Sequence, residues 1–280
     1  MKLRRFIQCD VFSPVPTQGN GLAVVVDAHG MSDEQMQQFA SWTNLAETTF
    51  LLPPTDLSAD YQVRIFTPIR EMLFAGHPTL GSCASWLHAG GIPKSKNIVR
   101  QQCKIGIVDI DISASPTLAF AAPPTTITPL AQEKRDLIVN ALKIDPASIL
   151  RTIELCNGPV WQVFELDHVD SVLKADSSLV RWAEHKAIGL IARHPQGAEC
   201  DYEVRMLAPS SGMSEDPITG SLNAALAQWL LAEGRLTKPY TVAQGTAINR
   251  KGRVSVKSDA NGRVWVGGQV HILIEGTLAL

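Results

Sequence analysis

No stretch of this sequence is apolar for long enough to cross a bilayer as a helix; the longest apolar helical run, around Leu222–Leu231, is too short. Neither sign of charge is in excess. A net charge of −2 over 280 residues leaves no footprint for nucleic acid or an acidic membrane surface. The basic clusters that do occur, such as Arg250-Lys251-Gly252-Arg253, read as solvated turn edges. Cysteine is sparse as well. Cys9, Cys83, Cys103, Cys156 and Cys200 are odd in number, scattered and without a Cys-x-x-Cys pair, which fits reduced thiols better than a disulfide framework. The histidines show no His-x-x-x-His or mixed His/Cys ligand spacing, so no metal site is expected. Lone His168, His185 and His194 read as surface residues.

Three cofactor and nucleophile motifs are missing too. No Gly-x-Gly-x-x-Gly opens a βαβ unit. Gly76-x-x-x-x-Gly81-Ser82 imitates a phosphate loop but lacks its lysine. Neither Ser82 nor Ser221 sits in a Gly-x-Ser-x-Gly elbow. At the N-terminus the charged Met1–Arg5 leads into Phe6–Phe12, whose alternation of apolar and polar residues does not suit a signal-peptide core. A hydrophobic content of 45% is enough for ordinary globular cores. The expectation is a cytoplasmic protein with no membrane or nucleic-acid partner.

What the sequence does have is an internal repeat. Asp60-Tyr61-x-Val63-Arg64-x-x-x-Pro68 recurs 141 positions later as Asp201-Tyr202-x-Val204-Arg205-x-x-x-Pro209. A second ordered match follows, His77-Pro78-x-x-Gly81-Ser82 against Asp216-Pro217-x-x-Gly220-Ser221. The chain therefore divides into two pseudo-symmetric domains, 1–118 and 119–280, with the last strand a candidate to cross back to the first.

Strands are expected at Phe6–Phe12, Leu22–Val26, Thr48–Leu52, Tyr61–Phe66, Asn97–Cys103, Ile105–Ile112, Ile188–Ala192 and Tyr202–Leu207. Ser32 and Asp33 offer N-caps for a helix ending near Thr43-Asn44, and a charged helix is expected at Gln132–Leu142. Further helices run from Pro78 to about His88 and from Ile218 to about Glu233. Asn157-Gly158 echoes Asn20-Gly21, and Gln244-Gly245 and Asn261-Gly262 are hairpin signals. Mixed strands with one prominent helix per half give an α+β class.

The differences between the copies are where chemistry is expected. His77 and Asp216 each precede a proline, which reads as two helix starts whose free N–H groups and dipoles suit a carboxylate or enolate. Gly76, Gly81 and Gly220 would let a ligand approach the backbone closely. Simple capping is the plainer alternative for each. Glu47 stands at the mouth of the apolar strand Thr48–Leu52, where a carboxyl group should titrate above its usual range and suit proton transfer near neutrality. The repeat places Ile188 opposite it, so only one copy carries the acid.

At Asn44–Phe50 (NLAETTF), Phe74–Gly81 (FAGHPTLG) and Glu215–Ser221 (EDPITGS) the chain resembles the phenazine-biosynthesis PhzF-like isomerase family. GNGLAVV at Gly19–Val25 and QGTAINRKG at Gln244–Gly252 extend the resemblance over nearly the whole length. It departs at Gly21 and Lys251, where that family favours proline, and at Arg70-Glu71-Met72.

The resemblance implies a diaminopimelate-epimerase-like fold, each domain a curled sheet around a central helix, with the active site in the interdomain cleft. It also implies a homodimer that needs no cofactor and acts on a small carboxylate-bearing substrate. Glu47 would be the catalytic acid/base. His77, Asp216 and Ser221 would line the substrate, and the backbone at Gly76 and Gly220 would hold its carboxylate. Related racemases use two cysteines, but Ala75 and Ile218 flank the corresponding places here, and Cys83 is the one nearby thiol. The alternatives are a non-catalytic metabolite-binding protein of the same fold and a racemase or epimerase pairing Glu47 with Asp216.

Overall fold

The computed structural model describes residues 2–179, 187–207 and 214–280. His185 and Pro209, singled out above, lie outside the described residues. The chain forms two compact units, one up to Ala121 together with Val266–Leu280, the other Ala122–Trp265.

The first unit runs β1 (Leu3–Val11), β2 (Asn20–Val25), α1 (Asp33–Thr43), β3 (Glu47–Leu52), β4 (Tyr61–Phe66), β5 (Glu71–Met72), α2 (Gly76–His88), β6 (Ile98–Cys103), β7 (Gly106–Ala114) and β8 (Thr117–Ala121). Ser32 caps α1 through a capping box with Gln35, and Asn44 ends it with a φ of 54°. Phe39 of α1 packs edge-on against Phe50, which meets Phe66 in the same way, so the helix is fastened to the outside of the sheet.

The ladder β1–β2–β3–β4–β6–β7–β8 is closed by β17 (Val264–Ala279), which pairs with both β8 and β1. Helix α2 lies inside this curl, against β1, β2, β3, β6 and β8. Gly81 is what lets it lie there. A Cβ at Gly81 would come within 2.5 Å of Leu22 Cδ2 and 2.9 Å of Cys9 Sγ. The expectation that Gly81 admits a ligand is therefore corrected: its bare face is taken by β1 and β2. Gly81→Ala is expected to cost about 1–3 kcal/mol through overpacking, read as a lower urea midpoint.

The second unit holds β9 (Thr126–Pro129), α3 (Gln132–Leu142), β10 (Ile149–Cys156), β11 (Val160–Leu166), α4 (Val169–Lys174), β12 (Ile188–Arg193), β13 (Tyr202–Leu207), β14 (Glu215–Asp216), α5 (Gly220–Ala232), β15 (Tyr240–Gln244) and β16 (Gly252–Ser258). Helix α5 is buried on nearly every side, as an all-apolar helix must be, and packs on β10 and β16. Gln244-Gly245 is not a two-residue turn. It opens a longer connection, with a short helical turn at Thr246–Ile248, before β16 pairs back on β15.

The two units share one topology. An antiparallel pair (β1–β2; β10–β11) is followed by a parallel one (β2–β3; β11–β12) and another antiparallel one (β3–β4; β12–β13). A two-residue strand then joins β4 or β13, which pairs in parallel with β6 or β15.

Register refines the alignment read from sequence. Thr48 faces Phe66 while Ile188 faces Leu207, so the counterpart of Glu47 is Ala187, one place before Ile188. The acid still belongs to one copy only. Glu71 faces Phe66 and Glu215 faces Leu207, and α2 and α5 begin at Gly76 and Gly220 with 13 residues each. His77 therefore corresponds to Ser221, not to Asp216.

Candidate active site

Glu47 is the first residue of β3, held beside Leu22 of β2 by parallel pairing. His77 is the second residue of α2 and is buried. Glu47 Oε2 lies 3.3 Å from His77 Nε2, with side-chain exposures of 16% and 4%. On the other edge of the ring, Asn20 Nδ2 is 3.2 Å from His77 Nδ1. The opening residues of β2, β3 and α2 thus meet at one end of the first unit.

The neighbouring polar side chains are tied down. Ser82 donates to Thr49 Oγ1 at 2.9 Å, so its hydroxyl is bonded into the wall of the sheet. Tyr61 donates to Gln101 Oε1 at 2.8 Å, and Gln101 Nε2 donates to Thr79 Oγ1 at 3.1 Å, linking the sheet to the first turn of α2.

The helix starts differ from the expectation. Helix α2 begins at Gly76 after the N-cap Ala75, one residue before His77. Helix α5 begins at Gly220 after Thr219, so Asp216 is not its cap but the second residue of β14, opposite Met206. Neither helix receives a side-chain cap. Gly76, His77, Gly220 and Ser221 are thus the opening residues of two central helices, at the positive ends of their dipoles.

In the second unit, Asp216 Oδ2 accepts from Thr219 Oγ1 at 2.6 Å. Gln244 organises that corner: its Oε1 accepts from Thr219 N at 3.1 Å and Asn223 Nδ2 at 2.9 Å, and its Nε2 donates to Thr219 Oγ1 at 3.0 Å. Because Thr219 Oγ1 already accepts a proton there, its own hydroxyl hydrogen goes to Asp216. Asn157 Nδ2 donates to the Ser221 carbonyl at 2.8 Å.

Burial lowers the pKa of His77 from 6.5 to about 3 by stripping water from its charged form. The folded ring is neutral, whereas the unfolded chain takes up a proton at this residue below about pH 6.5. Between about pH 3 and 6.5 the unfolded state binds more protons, so this contribution to stability is complete above that window and is lost as pH falls through it. The slope is at most about 1.4 kcal/mol per pH unit. Urea midpoints measured from pH 7 to pH 4.5 should fall more steeply for the wild type than for His77→Gln.

Sequence reasoning missed Asn20, Thr219 and Gln244 as members of these networks, although all three fall within the strings that carried the family resemblance. His194 is not the surface residue expected. It is half-buried, with Nε2 3.2 Å from Glu203 Oε2. Cys83 is fully enclosed, and burial pushes its thiol pKa up, which suits packing rather than thiolate chemistry. Among the described residues no group of three or more His, Cys, Asp or Glu is placed to hold a metal ion. No helix among them is long and apolar enough to cross a membrane.

Comparisons with known proteins bear on the fold and the family. The family described as phenazine biosynthesis-like protein matches residues 9–276. The chain is 34% identical over 289 residues to Antisense-enhancing sequence 1 of Schizosaccharomyces pombe, covering 97% of each. It is 30% identical over 291 residues to the trans-2,3-dihydro-3-hydroxyanthranilate isomerase of Pseudomonas fluorescens, covering 99% of this chain and 100% of the relative. The crystal structure of a Bacillus anthracis PhzF-family protein superposes with a TM-score of 0.83 at 22% identity over all of both chains. A hydroxyproline epimerase of Agrobacterium vitis shares the fold with a TM-score of 0.68 at 14% identity, over 99% of this chain and 93% of that one.

The duplicated, helix-centred curled sheets are those of the diaminopimelate-epimerase-like fold. Within that class, the chain belongs to the phenazine biosynthesis-like protein family and is a PhzF-like isomerase.

Proposed function

We propose that this protein is an isomerase in which one carboxyl group, that of Glu47, moves a proton within a small carboxylate-bearing metabolite. Glu47 removes an activated C–H proton and returns a proton to another carbon of the conjugated system, so bonding electrons shift within the substrate and no oxidant or second reactant is consumed. His77 lies against the substrate, and the backbone at Gly76 holds its carboxylate with the positive end of α2. The second unit contributes Asp216, Gly220 and Ser221 as substrate-binding residues. The protein works as a homodimer in the cytoplasm and needs no cofactor.

The observation that carries this reading is the close approach of Glu47 to a neutral, buried His77, present in one copy of the repeat only. The substrate of the Pseudomonas fluorescens relative, trans-2,3-dihydro-3-hydroxyanthranilate, is the first compound to try. Other small cyclic and amino carboxylic acids follow. Incubation in deuterium oxide should wash solvent deuterium into the isomerised product, since a proton held on Glu47 exchanges before its return. Saturable binding of these acids with neither isomerisation nor wash-in would overturn the reading in favour of a silent binder. Inversion at a stereocentre would favour a racemase.

A further inference from the structure

His77 is held on its far side by a residue to which the proposed chemistry gives no role. Asn20 is 2% exposed, opens β2, and lies with Nδ2 3.2 Å from His77 Nδ1. A neutral imidazole carries one ring proton, and the nitrogen that accepts an amide N–H cannot also bear it. Donation by Asn20 to Nδ1 therefore leaves the proton on Nε2, the atom 3.3 Å from Glu47 Oε2. The opposite tautomer would turn a lone pair toward a carboxylate oxygen.

The second unit also holds its central helix with an asparagine, at a neighbouring place: Ala23 faces Thr48 as Gln162 faces Ile188, so the register counterpart of Asn20 is Pro159, two residues after Asn157. Asn157, whose Asn-Gly dipeptide echoes Asn20-Gly21, donates through Nδ2 to the carbonyl of Ser221, the counterpart of His77. There the amide is fixed from behind, because Trp161 Nε1 donates to Asn157 Oδ1 at 2.9 Å. Each unit thus uses an asparagine to hold the second residue of its central helix, by its backbone in one and by its side chain in the other. The approach to Asn20 is also pinned. Gly19 N donates to Asp10 Oδ2 at 2.9 Å, and a Cβ at Gly19 would lie 2.3 Å from the Val11 carbonyl oxygen.

We propose that Asn20 is a positioning residue that locks His77 in its Nε2–H tautomer, keeping a buried N–H without a hydrogen-bond partner beside Glu47 and denying His77 any lone pair with which to take Glu47's proton. The consequence for mechanism rests on the acid/base reading of Glu47; the tautomer itself does not. With Nε2 already protonated, the hydrogen that Glu47 removes from a substrate does not pass to His77, and leaves Glu47 only for the substrate or by exchange with solvent. His77 Nε2 makes no hydrogen bond within the protein, so its N–H is left for a substrate oxygen, and His77 is excluded as a relay.

The test is long-range proton–nitrogen correlation NMR on the full chain labelled with 15N-histidine, with the His77 signal assigned by its loss in His77→Gln. The wild type should show Nε2 protonated and Nδ1 bare, in a ratio of about 10:1 given the usual net strength of a hydrogen bond such as that from Asn20. Asn20→Asp, close in shape but an acceptor, should draw the proton to Nδ1 and reverse that ratio. On trans-2,3-dihydro-3-hydroxyanthranilate, where the wild type turns it over, the same change should lower kcat about tenfold with KM altered less than about threefold. A wild-type spectrum with Nδ1 protonated, or an Asn20→Asp spectrum with the ratio unmoved, overturns the proposal. If Asn20→Asp does not fold, the wild-type spectrum decides alone. Undiminished turnover in Glu47→Gln would remove the acid/base reading but leave the tautomer to stand or fall on its own spectrum.

Discussion

Glu47→Gln is expected to lower turnover by a factor of about 100 or more while substrate affinity stays within a few-fold of wild type. The amide has nearly the shape of the carboxyl group and breaks no bond to His77 Nε2, which lies 3.3 Å from the native carboxylate without a hydrogen-bond partner. It cannot take up a proton at any accessible pH. The loss should therefore appear in kcat and in deuterium wash-in, not in KM. A packing defect would behave differently, since Glu47 begins β3 and its strand pairing with Leu22 is made by the backbone, which the substitution leaves alone. Thermal unfolding of the variant should match wild type closely. Unchanged turnover would remove Glu47 from the mechanism, whatever the family resemblance implies.

The fold was legible in the sequence where local chemistry and periodicity agree. Ser32 with Gln35 and Asn44 bracket α1, and the Tyr61–Phe66 and Tyr202–Leu207 strands fall where their repeated pattern places them. Among the elements that escaped, β10 and α4 have weak signals. Strand β10, Ile149–Cys156, is half-buried and has charged residues on it, and α4 is only six residues long. The alignment of the two copies slipped after the strands because proline was taken as the start of each helix. In α2, Pro78 is the third helical residue, while Pro217 precedes α5 by three positions.

That slip changed which residues are twins, and so changed what their differences mean. Pairing His77 with Ser221 brings out a shared asparagine clasp that pairing His77 with Asp216 concealed. The clasps themselves were unreadable beforehand. Asn20 and Asn157 are turn residues by composition, and nothing in their spacing from His77 and Ser221 reveals that an amide reaches across the fold. Hydrogen bonds between side chains distant in sequence depend on packing, which periodicity does not encode.

Arg205→Ala is expected to destabilise the protein by about 3–5 kcal/mol, a large part of the total of about 5–15 kcal/mol that domains of this kind have. Arg205 and Glu215 are 3% and 0% exposed at their side chains and are joined at 2.7 Å. The same guanidinium donates through Nη1 to the carbonyls of Val172 at 3.0 Å and Ala175 at 2.6 Å, closing the C-terminal end of α4. Removing it strands a buried carboxylate and leaves those carbonyls without their donor, and each effect costs more than the lost attraction alone.

The first unit provides the control. Arg64 bonds Glu71 at 2.8 Å with side chains 17% and 14% exposed, and its second partner Asp33 is 75% exposed. Water can replace much of what Arg64→Ala removes, so about 1 kcal/mol is expected there. Urea unfolding of the two variants should therefore differ by severalfold in free energy, although the residues occupy equivalent places on β4 and β13. Arg205→Met combined with Glu215→Leu should recover part of the loss, because no buried charge is then left alone. Similar costs for both single variants would mean that the second unit admits water to Glu215. In the stable background of the double variant, a remaining drop in turnover would report on Asp216, which follows Glu215 directly and shares its two-residue strand.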